Sequence, residues 1–167
     1  DYPWNAEYKG KTLNRHYVIS GKIDITDTSG NPHVGFDFDT YANRILLWDN
    51  QTNGQYKVGY AYNGDHKNDA PANAIYTKET GKTLTLEWKI VVTNSDAYFY
   101  VNGDLRLVWK NIPGNSLTLN TQAMDAKFYD MTAKTLADDK AEYEKIISDM
   151  QSTIDAYKNN AAGVYRA

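Results

Sequence analysis

The chain has no cysteine, and with it go disulfides, thiolate metal ligands and cysteine nucleophiles together. It has no cluster of Lys or Arg that could neutralise a row of phosphates, and 18 basic against 21 acidic residues leave a net charge of −3. Nucleic acid is therefore excluded as a partner. No apolar run approaches the roughly 18 residues that a bilayer-spanning helix needs, which argues against membrane insertion. His16, His33 and His66 are scattered without the spacing of a zinc site. Neither a GxSxG nucleophile elbow nor a phosphate-binding glycine loop appears.

What is present is apolar and aromatic. Hydrophobic residues make up 41% and aromatic residues 13% of the chain, a composition that rules out disorder. At 167 residues it is most simply one domain, long enough to bury roughly 70% of the surface of its unfolded state. The surplus of Asn, Thr, Gly and Tyr points to an extracellular or cell-surface bacterial protein. The start at Asp1 rather than Met fits a processed protein or an excised module.

The stretch AYFYVNGDLRLVWK carries the clearest local signal. Asn102-Gly103 favours a two-residue hairpin turn, because both positions need positive φ. That turn sets Val101 opposite Asp104, Tyr100 opposite Leu105, Phe99 opposite Arg106 and Tyr98 opposite Leu107, so Tyr98, Tyr100, Leu105 and Leu107 are expected to share a core-facing side. Upstream, strict alternation puts Leu84, Leu86, Trp88, Ile90 and Val92 on one side and Thr85, Glu87 and Lys89 on the other. Further strand candidates are 16–25, 33–39, 44–48, 56–62, 116–121 and 126–132, separated by turn clusters such as DTSGNP, DNQTNG and NGDHKNDAP.

Many short strands without an intervening helix predict a mainly β fold, an antiparallel two-sheet jelly-roll sandwich. The pattern changes at Leu136, where Tyr143, Ile147, Met150, Ile154 and Tyr157 form a helical stripe capped by Thr135. The predicted organisation is a sandwich over 1–134, one C-terminal α-helix over 135–159, and a tail over 160–167. The helix either docks on the sandwich or acts as a spacer to a neighbouring module or protein.

The hairpin GFDFDTYANRILLW holds the candidate binding surface. With a four-residue loop from Thr40 to Asn43, Asp39 faces Arg44, Asp37 faces Leu46 and Gly35 faces Trp48, while Phe36, Phe38, Ile45 and Leu47 gather on the core side. The exposed side then offers two carboxylates, a guanidinium and an indole, the mixture of planar polar groups and ring face that a sugar requires. Tyr60 and Tyr62, which share parity with Tyr56 and Val58, join either that surface or the core. The plain alternative for Asp39 and Arg44 is a structural ion pair, worth about 0–1 kcal/mol if exposed.

Three passages, HYVISGKIDITDTSGNPHVGFDFD, KTLTLEWKIVVTNSDAYFYVNGDLRLVW and SLTLNTQAMDAKFYDMTAKT, together resemble the concanavalin A-like lectin/glucanase jelly rolls and their laminin G-like relatives. The likeness spans about Arg15 to Lys134. It implies a two-sheet sandwich whose concave face or loop edge often binds carbohydrate, frequently as a non-catalytic module. Other members bind proteins, and others are glycoside hydrolases.

The hydrolase branch needs closely spaced carboxylates of the form Glu-x-Asp-x-x-Glu, one to attack and one to protonate the leaving oxygen. Only Asp37 and Asp39 come near that pattern. The expectation is thus a non-catalytic module with a glycan or polysaccharide partner, contacted through Trp48, Asp37, Asp39, Arg44 and Tyr60. An adhesive protein-interaction module is the first alternative and a glycoside hydrolase the second. Calcium is the one cofactor the loops leave open. DNQTNGQYKVGY starts like an EF-hand, with Asp49, Asn53 and Gly54 in suitable places, but ends on Tyr60 instead of a bidentate Glu. Asp24 with Asp27, and Asp65 with Asp69, supply oxygens in turns.

Overall fold

A computed structural model of the chain describes residues 6–9, 15–50, 55–67, 74–77, 79, 81–135, 144–145, 147–152, 155 and 164–166. Its strands are β1 (Ala6–Lys9), β2 (Tyr17–Phe38), β3 (Arg44–Asn50), β4 (Gln55–Tyr62), β5 (Asp65–Lys67), β6 (Ala74–Thr77), β7 (Leu84–Val92), β8 (Ala97–Val101), β9 (Asp104–Lys110), β10 (Leu117–Thr135) and β11 (Val164–Arg166). The long strands β2 and β10 pair with each other and belong to both layers. In the first layer, the segment of β2 from His33 to Asp37 pairs with β3, followed by β4 and then by β5 and β6, while β1 lies on the far side of β10. In the second, Tyr17 to Ile25 pairs with β7, followed by β8, β9 and, in parallel, β11.

The layers close on aromatic rings. Phe36 of the first meets Trp88 and Phe99 of the second at 4.9 and 5.1 Å between centroids, and Phe38 and Tyr60 meet Trp109 at 5.8 and 5.0 Å. The mainly β, antiparallel two-sheet jelly roll with a short C-terminal helix is therefore the fold the chain adopts. Alternation along β7 is as the sequence predicts: Leu86, Trp88, Ile90 and Val92 are buried, and Thr85 and Glu87 are exposed.

Two expectations about local structure need correction. DTSGNP does not end a strand, because β2 continues through it; the irregularity is absorbed as a register shift against β10, where Ala123 takes φ 53°. The Asn102-Gly103 turn does set Val101 opposite Asp104 and Tyr100 opposite Leu105, but Arg106 then bulges, so Phe99 pairs with Leu107 and Tyr98 with Val108. One extra residue exchanges the faces of the strand. Leu107 and Trp109 enter the core between the layers, while Tyr98, Tyr100, Leu105 and Val108 join Val18, Val91 and Met150 in a second cluster.

Met150 is 3% exposed and belongs to the C-terminal helix, whose Ile147 is 41% exposed. The helix thus presses Met150 against the outer side of the second layer. Thr135, expected as its cap, is the last residue of β10. Tyr143, Ile154 and Tyr157 lie outside the described residues. Val164–Arg166, in the stretch expected to be tail, pairs with β9 as a parallel strand.

Burial under this cluster, with Asp149 nearby, pushes Tyr100 up from 10.0 to about 12. Burial raises Tyr17 too, against the opposing pull of Arg15. A phenol with a raised folded-state pKa keeps its proton longer folded than unfolded, so its contribution is complete below pH 10.0 and disappears as pH rises towards 12. Urea midpoints should therefore be insensitive to this group below pH 10.0 and fall above it, with part of the tyrosinate absorbance appearing only on unfolding. Stability undiminished at pH 12 would contradict the burial of Tyr100.

Candidate functional site

Directly paired residues of antiparallel strands share a side of the sheet, so the register defines the outer face of the first layer. One row crosses Asn120, Gly35, Leu46 and Gly59; the next crosses Thr118, Asp37, Arg44 and Ala61. Gln122 and His33 begin a third, in which His33 pairs with Trp48. The apolar partners Val34, Phe36, Phe38, Ile45 and Leu47 point the other way, into the core.

This outer face carries polar groups withdrawn from water. His33, Asp37, Arg44 and Asn120 are 8, 4, 2 and 2% exposed. The guanidinium can only donate, so Arg44 Nη1 donates to His33 Nε2 at 3.2 Å. Its carbon lies 3.5 Å from the centroid of the Tyr41 ring, which covers it from outside. Tyr41 is itself 47% exposed, and its hydroxyl donates to Gln122 Oε1 at 3.3 Å. Among the described residues, Arg44 Nε and Asn120 Oδ1 are buried without a hydrogen-bond partner. Buried polar atoms are nearly always satisfied, and an ordered water, a repacked side chain or a ligand would complete these two.

Gly35 makes the cluster sterically feasible. A Cβ there would stand 2.7 Å from Asp37 Oδ1 and 3.4 Å from Arg44 Cδ. Gly35→Ala is expected to cost about 1–3 kcal/mol in urea denaturation by overpacking. A change below about 0.5 kcal/mol would mean that the Asp37 carboxylate moves aside freely.

The structure treats the five predicted contact residues differently. Asp37 and Arg44 come together as direct cross-strand neighbours. Asp39 does not pair with Arg44, because the four-residue loop starts one residue earlier and Phe38 N donates to Asn43 O at 2.7 Å. Asp39 instead takes φ 59° and accepts from Asn115 N, Ser116 N and Ser116 Oγ at 3.1, 2.7 and 2.6 Å. Burial pushes its carboxyl up, but the Ser116 and Asn115 donors outweigh that and hold it below the ordinary value. It fastens the hairpin loop to the entry of β10.

Tyr60 is a core residue, 6% exposed and stacked near Trp109, because its pairing with Ile45 puts it on the inner side. Tyr62, at the end of β4, is 37% exposed. Trp48 occupies β3 opposite His33 and Lys57, and its side chain lies outside the described residues. Of the residues considered for calcium, Asn53, Gly54 and Asp69 fall outside the described residues as well, as do the side chains of Asp27 and Asp49. Among the described residues no group of three or more His, Asp or Glu is placed to share a metal ion. Asp24 Oδ1 accepts from Thr85 Oγ1 and from the Tyr129 hydroxyl.

Three members of the cluster escaped the sequence reading. His33 shares parity with Gly35 and Asp37, a signal hidden by the turn cluster before it. Asn120 had the alternation of β10 to place it. Tyr41, in a loop, gave no signal.

No family model matches the sequence, and no curated protein matches it. Solved structures match it in shape. The carbohydrate binding module CBM66 from Bacillus subtilis superposes with a TM-score of 0.54 at 14% identity, covering 78% of this chain and 82% of that one. Chicken galectin 2 gives 0.53 at 9%, covering 77% and 97%. A toad ovary galectin, solved in complex with thio-digalactose, gives 0.54 at 8%, covering 78% and 98%. The architecture shared with them is the two-sheet jelly roll. At these identities the likeness is one of fold.

Proposed function

We propose that the chain is a non-catalytic, lectin-like module of an extracellular or cell-surface bacterial protein, and that it binds glycan on the outer face of the first layer. The observation that carries this reading is the buried His33, Asp37, Arg44 and Asn120 group with its two unpartnered atoms, Arg44 Nε and Asn120 Oδ1. Burying such groups on a sheet face costs stability unless something else uses them. The matched carbohydrate-binding module and galectins support the same reading. Against hydrolysis, Asp39 is committed to Ser116 and Asn115, which leaves the Asp37/Asp39 pair without a free second acid. No described helix is long and apolar enough to cross a membrane.

Binding proceeds by exchange at Tyr41. Its ring leaves Arg44, giving up a cation–π contact of about 0.5–1 kcal/mol and a long hydrogen bond of similar worth. That is small against the roughly 4–8 kcal/mol of a millimolar to micromolar complex. The exposed guanidinium edge donates to sugar hydroxyls, Asn120 accepts from them, and the Tyr41 ring closes on the C–H face of the sugar.

A glycan array tests this. Wild-type protein should give a defined set of hits that Tyr41→Ala weakens about tenfold through lost stacking. Repeating the array with chelator tests for calcium dependence. An array empty for the folded protein would overturn the proposal and favour the adhesive alternative.

A further inference from the structure

The second layer has its own depression, of about 290 Å³, on the side away from the core. Its floor is the paired segments from Ser20 to Lys22 and from Glu87 to Lys89, and its walls include Tyr100, Gly103, Asp130 and Thr132. Two irregularities form it. The register shift after Tyr129, with Asp130 at φ 50°, raises the β10 wall, and the Asn102-Gly103 turn closes the opposite end. None of these residues contributes to the Arg44 face.

The depression holds charges of both signs. Lys22 is bonded to Asp130 at 3.1 Å, and the hydroxyls of Ser20 and Thr132 bond to each other at 2.9 Å. The Lys89 ammonium lies 4.4 Å from the Tyr100 ring centroid. Lys89 has no carboxylate partner among the described residues, while Glu87 stands opposite Lys22 in the register and feels its charge without an ion-pair contact to it; both line the same space. An ionic ligand would gain from one of these and be repelled by the other. A polyhydroxylated one can donate to Glu87 and accept from Lys89 at once. The volume lies at the lower end of small-molecule clefts, which suits one ring.

We infer that this depression is a second carbohydrate subsite, for a single uncharged sugar ring, on the opposite side of the sandwich from the Arg44 face. Glu87 accepts from vicinal hydroxyls, Lys89 donates to a ring or hydroxyl oxygen, and the hydroxyls of Ser20 on the floor and Thr132 on the wall exchange hydrogen bonds with the rest. The site stands on its own residues, so it does not depend on the first.

The test is an amide-resolved NMR titration of the whole chain with the methyl glycosides of galactose, glucose, mannose and fucose, with galacturonate and glucosamine as charged controls. At least one neutral glycoside should shift the Gly21, Lys89 and Gly103 amide signals saturably, in wild type and equally in Arg44→Ala. Glu87→Ala and Lys89→Ala, both folded by circular dichroism, should each weaken that binding about tenfold. The inference is overturned if none of the four neutral glycosides moves those signals, if both variants bind as wild type does, or if a charged control binds more tightly. Persistence of these shifts in Arg44→Ala separates this site from the first face, whatever the fate of that one.

Discussion

Trp109→Ala is expected to remove about 3–5 kcal/mol of folding stability, the range for deleting a buried aromatic side chain. Trp109 is fully buried, and it receives Phe38 edge-on and Tyr60 at a tilt, so it joins β9 of the second layer to β2 and β4 of the first. A domain of this size has only about 5–15 kcal/mol to lose. The variant should accordingly yield little folded protein, with a urea midpoint far below that of wild type. Trp109→Phe should lose roughly half as much or less, because it keeps a ring against Phe38 and Tyr60 and removes an indole N–H that is buried without a partner among the described residues. A loss below about 1 kcal/mol for the alanine variant would contradict the face-to-face closure of the layers.

The second large effect is on binding. Arg44→Ala removes the donor to His33 Nε2, the base on which Tyr41 stacks, and the guanidinium proposed to meet the glycan. Truncating one member of a buried hydrogen-bonded charge cluster costs about 2–4 kcal/mol of binding, a factor of about 30 to 1,000. Stability should fall as well, by about 1.5–3 kcal/mol, since His33 loses its charged donor. Arg44→Lys keeps the charge but not the planar fork, and should recover stability more fully than affinity. An Arg44→Ala protein that binds as wild type does would move the site off this face.

Period-two alternation was enough to read which side chains share a face of the first layer. The hairpin loop starts one residue earlier than predicted, so every pairing between β2 and β3 moves by two residues, and a shift of two leaves each face intact. Phe36, Phe38, Ile45 and Leu47 therefore reach the core, and Asp37 and Arg44 the outer side, despite the altered pairing. The bulge at Arg106 is the opposite case. A one-residue insertion reverses the faces, and nothing in the composition of DLRLVW marks where it falls. Tyr98 and Tyr100 are buried, as predicted, yet beneath the C-terminal helix rather than between the sheets.

Tyr60 shows what parity leaves undecided. Its strand has an inner and an outer set, and only pairing with Ile45 distinguishes them. Tyr41 is harder still, since its stacking on Arg44 depends on a loop held by Asp39 to Ser116 and by Asn43, whose side chain accepts from Asn63 N at 2.9 Å. Such long-range fastening of a short loop has no periodic signature. The surface was legible as a parity class, and its detailed contacts were not.

The most direct measurement is amide-resolved NMR with the strongest glycan found on the array, recorded for wild type and for Arg44→Ala. Binding on the first layer predicts that Gly35, Leu46, Gly59 and Asn120 shift together on titration, and that the variant, still folded, loses those shifts. If these four signals stay still while the glycan binds, or shift equally in Arg44→Ala, the outer face of the first layer is not the binding site.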